Sequence, residues 1–155
     1  MLDPGPVRPF PEELLQLADI VTPNETEAEA LVGFPVDGRE SAERAAGELL
    51  RRGAGTAIVK MGAQGAVFAT GWQGDESVSH ERFKGHQTAF PVEALDTVAA
   101  GDAFNGALAV FLAEGRPLEL AVRRACAAGA LAVSHTWGPR IDETRDAVEA
   151  LLSAG

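Results

Sequence analysis

Residues 96–107 read DTVAAGDAFNGA, and this stretch is the key to both the fold and the chemistry of the chain. Small residues lead into Gly101, an acid follows at Asp102, and an apolar helix is predicted from Gly101 to about Glu114. A helix that starts here leaves its first amide groups without intrahelical acceptors and presents the positive end of its dipole. Such a start suits a transferring phosphoryl group, and Asp102 could accept the proton of an attacking hydroxyl. A plain capping role for Asp102 accounts for the same residues equally well.

The segments on either side of this stretch alternate between strands and helices, which predicts an α/β layer fold with a largely parallel sheet. Strands are predicted at residues 20–22, 56–61 and 66–69, with a tight turn before the last. Helices are predicted from Pro11, at residues 24–33, 41–53 and 118–135, and from 142 to 152. The remaining predictions are a strand end at residues 2–7, a long hairpin or loop excursion at 71–87, and an extended segment at 90–95.

Composition limits the classes of function. The chain has 155 residues, 46% of them hydrophobic, which is enough for one domain with a sizeable core. Its net charge of −10 disfavours nucleic acid and anionic membrane as partners. The single cysteine, Cys126, excludes an intramolecular disulfide and suits a reducing cytosol, so we expect a cytoplasmic location. The longest apolar stretches are too short and too interrupted to span a bilayer, and the first residues do not form a signal peptide.

Several other kinds of site are not supported by the sequence. The three histidines, His80, His86 and His135, have no metal-ligand spacing to one another or to Cys126. The sequence also contains no GxxxxGK[ST] phosphate loop, no GxGxxG and no nucleophile elbow.

Three motifs together indicate a family. TPNETEAE at 22–29, KMGAQG at 60–65 and DTVAAGD at 96–102 resemble, in the same order, the ribokinase (PfkB-type) carbohydrate kinase family. The first and third are most similar to its ribokinase branch. The resemblance implies a three-layer ribokinase-like α/β fold with a mostly parallel central sheet. It also implies that residues 1–155 are the nucleotide-binding and catalytic C-terminal portion of such a domain, without the N-terminal strands and β lid.

The resemblance assigns roles around the phosphates of ATP. It implies that Asp102 is the catalytic base, which deprotonates the sugar hydroxyl and so also faces the substrate. It implies an anion hole formed by Ala99, Ala100 and Gly101. Asn24 and Glu27 match an Asn-x-x-Glu element that organises Mg²⁺ and the phosphates through waters. The alternative for this pair is a helix N-cap with a capping-box acid, and the two roles are compatible.

The resemblance also assigns residues to the nucleotide. The segment that lines it comprises Lys60, Met61, Gly62, Ala63, Gln64 and Gly65. Gly62 and Gly65 are equally explained as hairpin glycines. Lys60 stands where ribokinases often have threonine, and it either reaches a phosphate or is solvated at the strand end. Cys126 falls near the adenine or ribose in the family, although a buried, inert packing role is favoured for this thiol.

A potassium site is the remaining element that the resemblance implies. Asp96 and the Val98 carbonyl match its first half, and the carbonyls of Ala132 and His135 match its second half by position. After His135 the sequence TWGPR at 136–140 departs from the family's usual KGAQPS type of segment, so the second half is less well supported.

The implied function is ATP-dependent phosphorylation of a sugar hydroxyl. Ribose is the first choice of substrate, with other pentoses, fructose-like sugars or nucleosides as alternatives. A nucleotide-binding module without turnover and a decayed remnant are competing hypotheses, and the intact Asp102 and Asn24–Glu27 pair argue against the remnant. Family members are about twice as long and hold most sugar-contacting residues in their N-terminal half. We therefore expect the isolated chain to be inactive, and to self-associate as a homodimer or pair with such a half through an open sheet edge.

Overall fold

The computed structural model describes residues 1–7, 11–71, 81–97, 99–134 and 144–154. These residues form two compact units, Met1–His86 and Gln87–Gly155. Nothing in the described ranges is a helix long and apolar enough to cross a membrane.

The first unit contains a sheet and three helices. In chain order its elements are α1 (Glu13–Gln16), β1 (Ile20–Val21), α2 (Glu25–Val32), α3 (Arg39–Arg51), β2 (Thr56–Lys60), β3 (Ala66–Gly71) and β4 (Glu81–Gln87, whose last residue falls in the second unit). A single 3-10 turn at Gly62–Gln64 joins β2 to β3. The strands follow one another in the sheet in the order β1-β2-β3-β4.

The sheet is mixed. β1 and β2 run parallel with Ile20 opposite Thr56, whereas β2 and β3 run antiparallel with Ile58 opposite Phe68. Leu2 pairs in parallel with Val21, donating its N–H to the Ile20 carbonyl at 2.8 Å. The predicted strand end at the start of the chain is thus confirmed, and it lies on the outer edge of β1.

The core of this unit lies between the helices α2 and α3 and one face of the sheet. Strand residues alternate between the two faces, and those on the helix side are Ala57, Val59, Val67 and Ala69. Alanines on α3 are completely buried, so this helix can lie close to the sheet. Ile58 and Phe68, which point to the other face, are also buried.

Residues 71–87 were predicted as a long hairpin or a loop excursion, and the ends of this segment form the strands of a hairpin. β3 ends at Gly71, and its neighbour in the sheet, β4, covers residues 81–87, while residues 72–80 lie outside the described ranges. The sequence ERFKGHQ is mostly polar and lacks a clear apolar alternation, which is why the sequence did not decide between a strand and a loop.

The second unit is helical. It contains α4 (Ala100–Ala113), α5 (Leu118–Val133) and α6 (Thr144–Ala154), and the predicted break at Gly115–Pro117 separates the first two. Buried apolar residues on α4 and α5 recur at helical spacing, and Val148 on α6 is also buried. Among residues 90–95 no strand forms; the Leu95 N–H instead donates to the Val133 carbonyl at 2.7 Å.

Candidate functional site

One edge of the first unit's sheet brings together two of the predicted residues, Asn24 and Lys60. Leu2, β1 and β2 run parallel, so the residues that follow them emerge at the same edge. These are Asp3, Asn24 and, at the end of β2, Lys60, which pairs with Asn24 and donates its N–H to the Pro23 carbonyl at 2.8 Å. The carboxyl edge of parallel strands is where open α/β sheets bind ligands.

Asn24 and Glu27 form a reciprocal capping box at the start of α2. The Glu27 N–H donates to Asn24 Oδ1 at 2.9 Å, and the Asn24 N–H donates to Glu27 Oε2 at 2.8 Å. The predicted cap is therefore confirmed. The box uses one oxygen of each side chain, which leaves the Asn24 amide nitrogen and Glu27 Oε1 for a ligand or its waters. The Mg²⁺ role of this pair fits that arrangement and stays a prediction.

Gly5 makes room for the Glu27 carboxylate. A side-chain carbon placed on Gly5 would lie 2.5 Å from Glu27 Oε1, so larger residues at this position would displace the carboxylate. The Gly5 N–H donates to Asp3 Oδ1 at 3.3 Å. Sequence reasoning assigned residues 2–7 to a strand end alone and missed this role. The signal was a glycine three residues after Leu2, in the segment that leaves the carboxyl edge of the sheet.

Lys60 is held by an ion pair. Its Nζ lies 3.3 Å from Asp3 Oδ2, and its side chain is only 13% exposed. The alternative of a solvated lysine is therefore wrong. The ammonium lies at the same edge as Asn24 and Glu27, where it can serve a phosphate as a point charge while Asp3 orients it.

The turn between β2 and β3 presents its middle residues to solvent. Gly62, Ala63 and Gln64 are exposed, whereas the Met61 side chain is buried in the core. Met61 can line a nucleotide through its backbone only. Gly62 has φ 48° and Gly65 has φ 90°, so both are turn glycines as the alternative explanation required.

In the second unit, the start of α4 lacks a side-chain cap. Ala99 occupies the N-cap position with left-handed φ 63°, and its methyl group cannot accept a hydrogen bond. The Ala100 N–H donates to the Thr97 carbonyl at 3.4 Å, whereas the N–H groups of Gly101 and Asp102, in the first turn of α4, have neither an intrahelical acceptor nor a cap oxygen. Asp102 is exposed beside them. α2 caps itself and α4 does not, which makes the start of α4 suited to an external anion.

Of the predicted potassium ligands, Asp96 lies beside the end of α5. The Asp96 N–H donates to the Val133 carbonyl at 3.2 Å, which brings Asp96 next to the last turn of α5, where Ala132 lies. Val98 and His135, the other predicted potassium ligands, lie outside the described residues. Among the residues that are described, no group of His, Cys, Asp and Glu could hold a metal ion.

Cys126 is buried on α5. Burial raises the pKa of its thiol to about 12, because the surrounding apolar groups disfavour the charged thiolate. The expected inert packing role agrees with this environment.

Comparisons with known proteins agree with the motifs. Residues 1–140 match the model of the pfkB family of carbohydrate kinases. The chain is 40% identical over 134 residues to a ribokinase from Haemophilus influenzae, which covers 86% of the chain and 40% of that protein. It is 37% identical over 153 residues to a ribokinase from Bacillus subtilis, covering 99% of the chain and 46% of the relative.

A solved structure shows the same fold. The structure of Arabidopsis thaliana ribokinase complexed with ribose and ATP superposes with a TM-score of 0.81 at 33% identity, covering 97% of this chain and 46% of that one. The predicted ribokinase-like α/β fold is therefore confirmed. The chain spans less than half the length of each of these relatives.

Proposed function

Because this chain belongs to the pfkB family of carbohydrate kinases, we propose that it supplies the ATP-binding and phosphoryl-transfer part of an ATP-dependent sugar kinase. The observation that carries the proposal is the uncapped start of α4 with the exposed Asp102 beside it. A helix start of this kind offers free amide donors to an anion, and an adjacent carboxylate offers a base to a hydroxyl.

The chemistry divides among the residues of the chain. ATP supplies the γ-phosphoryl group, whose charge the amides of Ala99, Ala100, Gly101 and Asp102 stabilise as it is transferred. The carboxylate of Asp102 takes the proton of the sugar hydroxyl while the hydroxyl oxygen forms its bond to phosphorus. The bond from phosphorus to the β-phosphate oxygen breaks, and ADP leaves.

The residues of the first unit serve the nucleotide in this proposal. Asn24 and Glu27 Oε1 would hold the waters around Mg²⁺, and Lys60 would neutralise a phosphate oxygen. The exposed backbone at residues 62–64 would line the nucleotide. Potassium beside Asp96 and Ala132 is part of the same proposal.

Ribose is the proposed acceptor. The support is the ribokinase relatives in two bacteria and the ribose and ATP bound to the Arabidopsis structure. A panel of ribose, other pentoses, fructose and nucleosides with ATP and Mg²⁺ tests this choice. Faster turnover of a nucleoside than of ribose would contradict it.

The role of Asp102 has a direct test. We expect Asp102→Asn, in a complete enzyme containing this sequence, to lower kcat by about 10²–10⁴-fold, because the amide cannot take the proton. ATP affinity should be retained, since the backbone amides of α4 are unchanged. Steady-state kinetics and ATP titration measure the two effects. A variant that keeps most of kcat would refute the base role.

A nucleotide-binding module without turnover is the second candidate. The observation that favours it is the coverage of less than half of each relative. ATP binding by the chain alone, without phosphorylation of any sugar in the panel, would support this candidate for the isolated chain.

A further inference from the structure

His86 makes a contact that none of the roles above uses. It lies near the end of β4, half-buried, and its Nε2 is 2.8 Å from the Gln64 carbonyl oxygen. A carbonyl can only accept, so Nε2 carries the hydrogen and donates it. The neutral Nε2–H tautomer and the imidazolium ion can both make this bond.

The approach of β4 to β3 brings His86 to this place. Gly85 faces the ring of Phe68, and a side-chain carbon on Gly85 would collide with Phe68 Cζ. Phe68 is a core residue at 2% exposure and cannot move aside cheaply. A glycine at 85 therefore lets β4 lie against the ring, and the next residue along the strand reaches the turn after β2.

The backbone hydrogen bonds of this turn lie within the turn itself. The Met61 N–H donates to the Gly65 carbonyl and the Gln64 N–H to the Met61 carbonyl, both at 2.8 Å, so these bonds close the turn on itself. Residues 62–64 are exposed. The His86 bond differs because it comes from another strand, 22 residues away, and fixes the turn relative to the sheet.

We propose that His86 is a positioning residue, which holds the Gly62–Gly65 turn through the Gln64 carbonyl in the conformation that receives the nucleotide. This inference rests on the proposed function, which places the nucleotide against that turn. Without the bond, the turn would sample further conformations, and part of the binding free energy would be lost in ordering it.

The first test is ATP affinity, measured by titration calorimetry on the 155-residue chain. We expect His86→Ala to weaken ATP binding by about threefold to tenfold, the size expected for one net hydrogen bond. His86→Gln should restore most of the affinity, because its amide nitrogen can donate from a position close to that of Nε2. Gln87→Ala is the matched control, since Gln87 donates to the Thr88 carbonyl and should leave the affinity unchanged.

The second test needs no ligand. Hydrogen exchange of the Gln64 and Gly65 amides should be faster in His86→Ala than in the wild type and should slow again in His86→Gln. If His86→Ala does not fold, His86→Leu replaces it, since leucine fills similar space without a donor.

The outcomes separate the inference from the proposed function. Equal ATP affinity and equal amide exchange in wild type and His86→Ala would overturn the inference while ATP binding stands. A wild-type chain that binds no ATP would refute the proposed function and the nucleotide part of the inference. Amide exchange would then decide whether His86 fixes the turn.

Discussion

Asn24 and Glu27 show how one pair of side chains can serve the fold and a ligand. Their capping box satisfies the donors at the start of α2 with one oxygen from each residue. Glu27 Oε1 takes no part in the box and lies close to Gly5. Lys60, the last residue of β2, lies at the same edge of the sheet. The proposed Mg²⁺ role therefore requires no rearrangement of the cap.

Glu27→Gln separates these two roles. Glutamine can complete a capping box, so we expect the free energy of unfolding to change by less than about 1 kcal/mol. The lost charge should weaken Mg²⁺-dependent ATP binding while leaving binding without Mg²⁺ nearly unchanged. Urea unfolding and ATP titrations with and without Mg²⁺ measure both.

Asn24→Ala is the comparison variant. It removes the cap itself and should cost about 0.5–2 kcal/mol of stability. Equal Mg²⁺ dependence of ATP binding in Glu27→Gln and wild type would show that Glu27 is a capping residue alone.

At the scale of elements, α6 shows which kind of contact fixes a helix in the second unit. Its Glu149 pairs with Arg124 of α5 at 2.8 Å, and its Arg145 pairs with Glu114 at the end of α4 at 2.8 Å. The hydrogen bond and charge of Arg145 lower the pKa of Glu114. The Arg145–Glu114 pair is largely exposed and the Arg124–Glu149 pair is half-buried, whereas Val148 is buried at 4% exposure.

We expect the apolar contact to dominate. Val148→Ala should lower the free energy of unfolding by about 1.5–3 kcal/mol, the value of a buried side chain of this size. Glu149→Ala, one position along the same helix, should cost about 0–1 kcal/mol, since the Glu149 side chain is 45% exposed and solvent screens its pair with Arg124. Chemical unfolding of both variants checks the order. A larger loss in Glu149→Ala would mean that the ion pairs hold α6.

Elements also show where sequence reasoning was sufficient. The cap at Asn24, the turn glycines at 62 and 65 and the break at Gly115–Pro117 were predicted because each depends on a few adjacent residues. The pairing of Lys60 with Asp3, 57 residues apart, and of His86 with Gln64 was not. Such contacts depend on which strands become neighbours and in what register, and no local pattern specifies that. The left-handed backbone conformation of Ala99 was not predicted either, because alanine rarely adopts it.

On the scale of the whole molecule, exposed apolar side chains are the feature most relevant to behaviour in solution. Leu17, at the end of α1, is 80% exposed, and Leu14 on the same helix is 39% exposed. β1 is the end strand of the sheet, and Leu2 pairs with its outer edge. An edge strand and exposed leucines favour association between chains.

We therefore expect the purified chain to self-associate in a concentration-dependent way, despite its net charge of −10. Leu17→Glu should reduce the association, because it removes an exposed apolar group and adds a charge. Ala113→Glu adds the same charge at an exposed position of α4 and should have a smaller effect. Light scattering after gel filtration measures the mass. A monodisperse monomer at all concentrations would contradict the expectation.

The topology of the mixed sheet also predicts the order in which its strands pair during folding. β2 and β3 are joined by a short turn, and a hairpin of this kind closes within about 1–10 μs. β1 can pair with β2 only after the chain between them, which contains α2 and α3, has brought the two strands together, because Ile20 lies opposite Thr56. Pairing across such a long loop costs more chain entropy and is slower. During refolding, the Gly62–Gly65 turn should therefore form before Asn24 arrives beside Lys60, so the two sides of this ligand edge acquire their structure in succession.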